Sequence, residues 1–224
     1  MGNIKFEGVI PPVVTPLDKN KKFDKKSFAN VINHLIEGGV NGLFILGSSS
    51  GVVFLTNQER EAVIKTAVEI NDGRVPILCG VIDTQTNRVI DNIKIAEKYA
   101  IDGLVATAPF YALDDEDVVE NHFRLLRKAT NLPIFAYDLP VCVHKKLSPE
   151  MLVRLGNEGV LQGVKDSSGD DVSFRYLMLQ NEEAGHPLSV FSGHEVVVDG
   201  ILLGGADGFV PGLGNVCPKI YSDM

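Results

Sequence analysis

The chain has no tryptophan and only three cysteines, Cys79, Cys142 and Cys217, among 224 residues. They stand 63 and 75 residues apart, spacings that fit neither a disulfide framework nor a zinc cluster. A chain with so few thiols, so placed, is expected in a reducing cytoplasm. No apolar run approaches the roughly 20 residues of a membrane-spanning helix. The opening MGNIKFEGVIPPVVTPLDKNKKF is interrupted by prolines and charges before any signal-peptide core can form. A basic face is missing too: 21 Lys and Arg against 29 Asp and Glu leave a net charge of −8, which excludes nucleic acid as the main partner. The five histidines, His34, His122, His144, His186 and His194, lack metal-ligand spacing. No Gly-x-Gly-x-x-Gly follows any apolar run, so the dinucleotide-binding open sheet has no support.

What is present is ordinary globular composition, 45% hydrophobic and 22% charged, arranged with a strong rhythm. Apolar runs occupy Val9–Val14, Gly42–Leu46, Val75–Cys79, Gly103–Ala106, Pro133–Tyr137, Val160–Val164, Leu188–Phe191 and Asp207–Val210. From the second onward they begin 19 to 33 residues apart, the length of one strand–helix unit. Between them lie stretches of helical period, such as Ala62, Ile64, Ala67, Val68 and Ile70. Short continuous runs, without clean alternation, suit parallel strands buried on both faces. Eight units predict one closed (β/α)8 TIM barrel over residues 1–224, as a single domain. Ser27 is expected to cap the first helix and Gly38-Gly39 to stop it. Thr56 with Glu59 reads as a capping box, and Ser148-Pro149-Glu150 as a helix start. The acidic run Asp114–Asp117 reads as a solvated helix N-terminus. A complete barrel takes about 250 residues, so the eighth helix is expected to begin near Pro218 and to be truncated, with no C-terminal extension.

In a parallel barrel the chemistry sits at the C-terminal ends of the strands. Lys165 follows Val160–Val164 and is expected to face the barrel mouth. A lysine there is either desolvated and nucleophilic toward carbonyls or bound in an ion pair with Asp166 or Asp170. Tyr137 ends the neighbouring run, as a proton carrier or as a rim aromatic. The Gly47–Gly51 loop, GSSSG, offers hydroxyls and turn amides to a carboxylate, or is a plain turn. His194 is the one histidine at a strand end.

Together GVIPPVVTP, Gly47–Gly51 followed by FLTNQER, APFY, YDLP and GVKDSSGD resemble the dihydrodipicolinate synthase / N-acetylneuraminate lyase family, class I aldolases that handle pyruvate on a barrel. The resemblance runs in order from Gly8 to about Pro218. It implies that Lys165 is the Schiff-base lysine and Tyr137 the tyrosine that moves protons beside it. Ser48 and Ser49 match the hydroxyl pair that receives the keto acid's carboxylate. Tyr111 matches an aromatic that reaches into a neighbouring subunit's site, and Val210 a position lining the pyruvate pocket. The resemblance implies no metal or organic cofactor, a homodimer or homotetramer, and pyruvate and an aldehyde as small-molecule partners. Three positions depart from the family's pattern. Ser50 and Gly51 replace the glycine and glutamate that close its loop. Asp138 replaces the asparagine of its YNxP. Cys142 stands where synthases carry an arginine for the aldehyde partner's carboxylate, and a thiol cannot replace a bidentate guanidinium. The expected activity is therefore cleavage or formation of a carbon–carbon bond between pyruvate and an aldehyde, on a 2-keto-3-deoxy sugar acid. A dihydrodipicolinate synthase with a changed carboxylate site and a barrel that only binds keto acids are the alternatives.

Overall fold

Each apolar run contributes to a strand in the computed structural model, which describes residues 6–112 and 115–224. The strands are β1 Gly8–Val9, β2 Leu43–Ile45, β3 Ile77–Gly80, β4 Gly103–Thr107, β5 Ile134–Asp138, β6 Gly163–Asp166, β7 Ser189–Ser192 and β8 Gly208–Phe209. The helices are α1 Lys25–Glu37, α2 Asn57–Asn71, α3 Thr86–Ala96, α4 Glu116–Ala129, α5 Pro140–Val143, α6 Pro149–Asn157, α7 Asp171–Glu183, α8 Val198–Leu203 and α9 Pro218–Ser222. All eight strands form one parallel sheet in the order β1-β8-β7-β6-β5-β4-β3-β2. The curl closes where the chain beyond β1 meets β2: Phe44 N donates to Pro11 O at 3.0 Å, and Val13 N to Phe44 O at 2.8 Å. The architecture is the expected α/β barrel.

The first and sixth runs yield less strand than expected, for local reasons. Pro11 and Pro12 have no N–H to give a ladder, so after Val9 the first run makes only an isolated bridge, Pro12 to Phe44. The sixth strand starts late because Val160 N and Leu161 N both bond to Leu155 O, at 2.9 and 3.2 Å, and are spent closing α6. Lys165 therefore lies within β6 rather than after it.

The helix signals mostly hold. Thr56 and Glu59 form a reciprocal capping box on α2, and Ser148 caps α6 by accepting from Met151 N at 3.3 Å. Gly38 caps α1, and Gly39 follows in the left-handed region at φ 85°. Ser27 is a correction. The cap of α1 is Asp24, which accepts from Lys26 N and Ser27 N at 3.0 and 3.1 Å. An ionised carboxylate three residues earlier outcompetes the hydroxyl, which itself donates to Asp24 at 2.6 Å. In the acidic run Asp115 occupies the N-cap position of α4, with Glu116 and Asp117 in its first turn; Asp114 lies outside the described residues. The last helix begins at Pro218, where it was expected.

The barrel interior is aromatic. Phe135 packs edge-on against Phe6 and Phe191, with ring centroids 5.1 and 6.1 Å away. Its ring fits because residue 163 is glycine: a Cβ there would sit 2.1 Å from the ring.

Candidate active site

Thr107, Tyr137, Lys165 and Phe191 are successive register partners across β4, β5, β6 and β7. Paired residues in a parallel ladder project to the same face, so the four form one inward rung at the strand ends. Lys165 is 6% exposed. Its Nζ lies 4.1 Å from the centroid of the Tyr137 ring and 4.9 Å from that of Phe44. Both acids that might have paired with it are engaged elsewhere. Asp166 accepts from Ser168 N and Oγ, both at 2.7 Å, and Asp170 caps α7, accepting from Ser173 N at 2.9 Å. Burial lowers the affinity of Lys165 for its proton, and the weaker pull of Tyr137 and Glu195 does not reverse this. An amine so placed can shed its proton and attack a carbonyl.

Tyr137 is equally enclosed. Burial pushes its phenol up, but the charge of Lys165 and hydrogen bonds with Ser48, Ser167 and Lys165 prevail and hold it below the ordinary tyrosine range. Ser48 Oγ donates to Tyr137 Oη at 3.5 Å. A phenol that ionises readily beside an amine that deprotonates readily is an arrangement for passing protons.

The GSSSG loop delivers Ser48. Residues Ser48–Ser50 make one 3-10 turn, and Gly51 takes φ 65° to leave it. Ser50 Oγ donates to Val13 O at 2.6 Å, tying the loop to the chain beyond β1. Ser48 and Ser49 are left exposed at the mouth. A cavity of about 420 Å³ opens there, walled by Val52, Phe54, Ile82, Phe110, Leu139 and Cys142. Among the described residues its polar side chains are the hydroxyls of Ser48 and Thr107, and no charged residue lines it. Thr107 Oγ1 is buried without a hydrogen-bond partner among the described residues. Sequence reading passed over Thr107 because a threonine ending a strand is unremarkable; its rung identifies it.

The other expected site residues are placed as follows. Tyr111 is 96% exposed, with φ 83°, and is not brought to Lys165 within this chain. Val210 follows β8 and is buried, its N–H bonded to Ser192 O at 2.8 Å; like Lys165 and Tyr137 it is not among the residues lining that cavity. His194 Nδ1 lies 2.9 Å from Asp171 Oδ1. His122 is buried, and burial pushes its imidazole down to about 4. Glu195 was not singled out from sequence. It accepts from Gly212 N at 2.7 Å and Tyr221 Oη at 2.8 Å, tying the β7 loop to the segment after β8. Burial and Glu195 push the Tyr221 phenol up to about 12. Among the described residues no group of three or more His, Cys, Asp or Glu is placed to hold a metal ion. Among them, too, no helix is long and apolar enough to cross a membrane.

The profile of the dihydrodipicolinate synthetase family matches residues 5–224. The chain belongs to that family. It is a class I, pyruvate-dependent aldolase or lyase. It is 32% identical over 219 residues to YjhH of Escherichia coli K12, named a probable 2-dehydro-3-deoxy-D-pentonate aldolase, with 96% of this chain and 72% of YjhH covered. A 4-hydroxy-tetrahydrodipicolinate synthase of Flavobacterium psychrophilum is 28% identical over 222 residues, covering 98% of this chain and 74% of the synthase. The crystal structure of E. coli YagE in complex with pyruvate superposes with a TM-score of 0.94 at 29% identity, covering 97% of this chain and 74% of YagE. YagE carries a provisional name as a 2-dehydro-3-deoxy-D-gluconate aldolase.

Proposed function

We propose that this family member cleaves, or in reverse forms, the C3–C4 bond of a 2-keto-3-deoxy sugar acid through a Schiff base on Lys165. The observation that carries the reading is the buried Lys165 amine, free of a carboxylate partner and lying over the Tyr137 ring. The keto acid's carboxylate docks on Ser48, Ser49 and the turn amides of their loop. The neutral amine attacks C2, the carbinolamine hydroxyl takes the Tyr137 proton and leaves as water, and a protonated imine results beside the Tyr137 phenolate. Tyr137 takes the proton of the C4 hydroxyl, the C3–C4 pair flows into the iminium, and the aldehyde leaves. Protonation of the enamine at C3 and hydrolysis release pyruvate and return the amine.

The aldehyde half is read from the cavity. With no cation among the described residues of its lining, it offers no partner to a second carboxylate, and Cys142 occupies the place of the synthase arginine. This favours a neutral aldehyde over the partner of a dihydrodipicolinate synthase. With Ser48 given to the carboxylate, the hydroxyl of Thr107 suits a short hydroxyaldehyde, because each further buried substrate hydroxyl would lack a partner. The names of YjhH and YagE agree with this class. We further propose that the working unit is at least a homodimer, in which the exposed Tyr111 of one copy completes the site of the other, and that it operates in the cytoplasm, where Cys79, Cys142 and Cys217 stay reduced. Sedimentation equilibrium tests the assembly: a fully active monomer at micromolar concentration would refute it.

Borohydride reduction with pyruvate, followed by peptide mapping, tests the chemistry. An adduct on Lys165 is expected. No adduct would mean a barrel that only binds keto acids. Pyruvate release screened across 2-keto-3-deoxy acids then ranks substrates, with five- and six-carbon acids expected above longer ones. Condensation with aspartate semialdehyde as the best aldehyde would instead establish the synthase.

A further inference from the structure

The two strands that carry the reacting pair each end on a buried acid. Asp138 is fully buried and Asp166 is 4% exposed. They are register partners, and the two-residue period of a strand turns them to the face opposite Tyr137 and Lys165. Two carboxylates side by side out of water repel each other and are costly to ionise. Lys146, from the segment joining α5 and α6, answers both. Its ammonium binds Asp138 and lies 3.3 Å from Asp166 Oδ2. Leu147 N donates to Asp138 Oδ1 at 3.2 Å, Ser168 holds Asp166 Oδ1, and Lys146 also donates to Leu147 O at 3.2 Å. Every carboxylate oxygen of the cluster thus has a donor, and one cation spans the ends of both strands. The asparagine of the related YNxP motif would need no such counter-charge; Asp138 at this depth does.

We propose that Lys146 is a positioning residue. By neutralising the repulsion between Asp138 and Asp166 it holds the ends of β5 and β6 in register, and so sets the contact between Tyr137 and Lys165 on which imine formation depends. This rests on the Schiff-base reading above. The groups facing Asp138 are Asp166 and Lys146, and those facing Lys146 are the two aspartates. Loss of Lys146 therefore leaves a buried, uncompensated pair of acids directly behind the reacting rung.

The test compares Lys146→Met, Lys146→Met with Asp138→Asn, and the parent in the full chain, well below their melting points. Two rates are read: borohydride-trapped imine with pyruvate, and carbamylation of Lys165 by cyanate located by peptide mapping, which needs no turnover. In Lys146→Met, trapping is expected to fall about tenfold or more, with half-saturation by pyruvate changed less. Carbamylation slows because a loosened pairing of β5 and β6 admits water to Lys165, and a less buried amine keeps its proton. Asp138→Asn in the same chain restores both rates to within about threefold of the parent. Unchanged trapping and carbamylation in Lys146→Met, whatever happens to Tm, would make Lys146 merely structural and overturn the proposal. If Lys146→Met alone does not fold, the double variant decides. Folding with near-parent rates supports the proposal, whereas a folded but slow protein, or no folding, overturns it. A parent that carbamylates at Lys165 yet never traps pyruvate refutes the Schiff-base reading, and the carbamylation rates still decide the role of Lys146.

Discussion

The sheet has two unlike sides. From β4 to β7 the strands are four or five residues long, and each neighbouring pair shares four register positions. At the seam, β8 and β1 are two residues each and meet at Gly8–Gly208 and Val9–Phe209. The seam is held instead by side chains reaching backbone. Asn41 Oδ1 accepts from Val9 N at 2.9 Å. Asn215 accepts from Val14 N at 3.1 Å and donates to Pro12 O and Gly212 O at 2.9 and 3.0 Å. A long ladder fixes the relative position of side chains on adjacent strands, and the reacting pair sits on one of these three longest ladders. The seam needs only to close, so prolines and glycines are tolerated there and a few amides do the work of missing ladder bonds.

The comparison can be broken first on its regular side. Lys165→Ala is expected to abolish pyruvate trapping and turnover while Tm stays level or rises, since a buried amine has been removed. Trapping that survives would move the Schiff base to another lysine. Tyr137→Phe is expected to lower kcat by about 10²–10⁴, with a smaller change in KM; an unchanged kcat would leave Tyr137 a packing residue.

The seam should respond in stability, not chemistry. At residue 208 a Cβ would lie 2.1 Å from Gly8 O, so Gly208→Ala should destabilise by about 3 kcal/mol in urea unfolding, the folded fraction still trapping pyruvate. Asn215→Ala removes bonds to three backbone groups and is expected to cost about 1–2 kcal/mol. If either variant leaves the urea midpoint untouched, the seam is closed by something other than these contacts.

The smallest effect is a pH dependence. Burial, then the neighbouring Asp166, push the Asp138 carboxyl up to about 6, against the pull of Lys146. A folded-state value above the ordinary carboxylate value of about 3.9 means the protonated form is favoured by folding. Its stabilising contribution is complete below about pH 4 and is lost as the pH rises through 6. On this account the parent should lose on the order of 1 kcal/mol between about pH 4 and 7 relative to Asp138→Asn. Parallel stability profiles for the two proteins would show that Asp138 titrates as in the unfolded chain.

Features that depend on neighbours in sequence were legible before any coordinates. The strand–helix rhythm announces the barrel, Thr56 and Glu59 announce the start of α2, and the motifs around Lys165 and Tyr137 announce a carbonyl-handling amine with a phenol beside it. Where local reading failed, a competing local bond won: Asp24 over Ser27 at the cap of α1, and Leu155 O over the ladder at Val160.

What only the tertiary structure decided concerns partners far apart in the chain. Whether Lys165 is paired or free depends on where Asp166 turns and on Lys146, twenty residues from Asp166, taking its charge. The closure of the barrel rests in part on Asn215 reaching Val14 across 201 residues. The unpartnered hydroxyl of Thr107 becomes a site feature only through its rung with Tyr137 and Lys165. Periodicity and capping are set by bonds within one turn or one strand, which the order of residues encodes directly. Burial, charge compensation and cavity walls are set by which elements come to lie together, and that is decided when the sheet curls and closes.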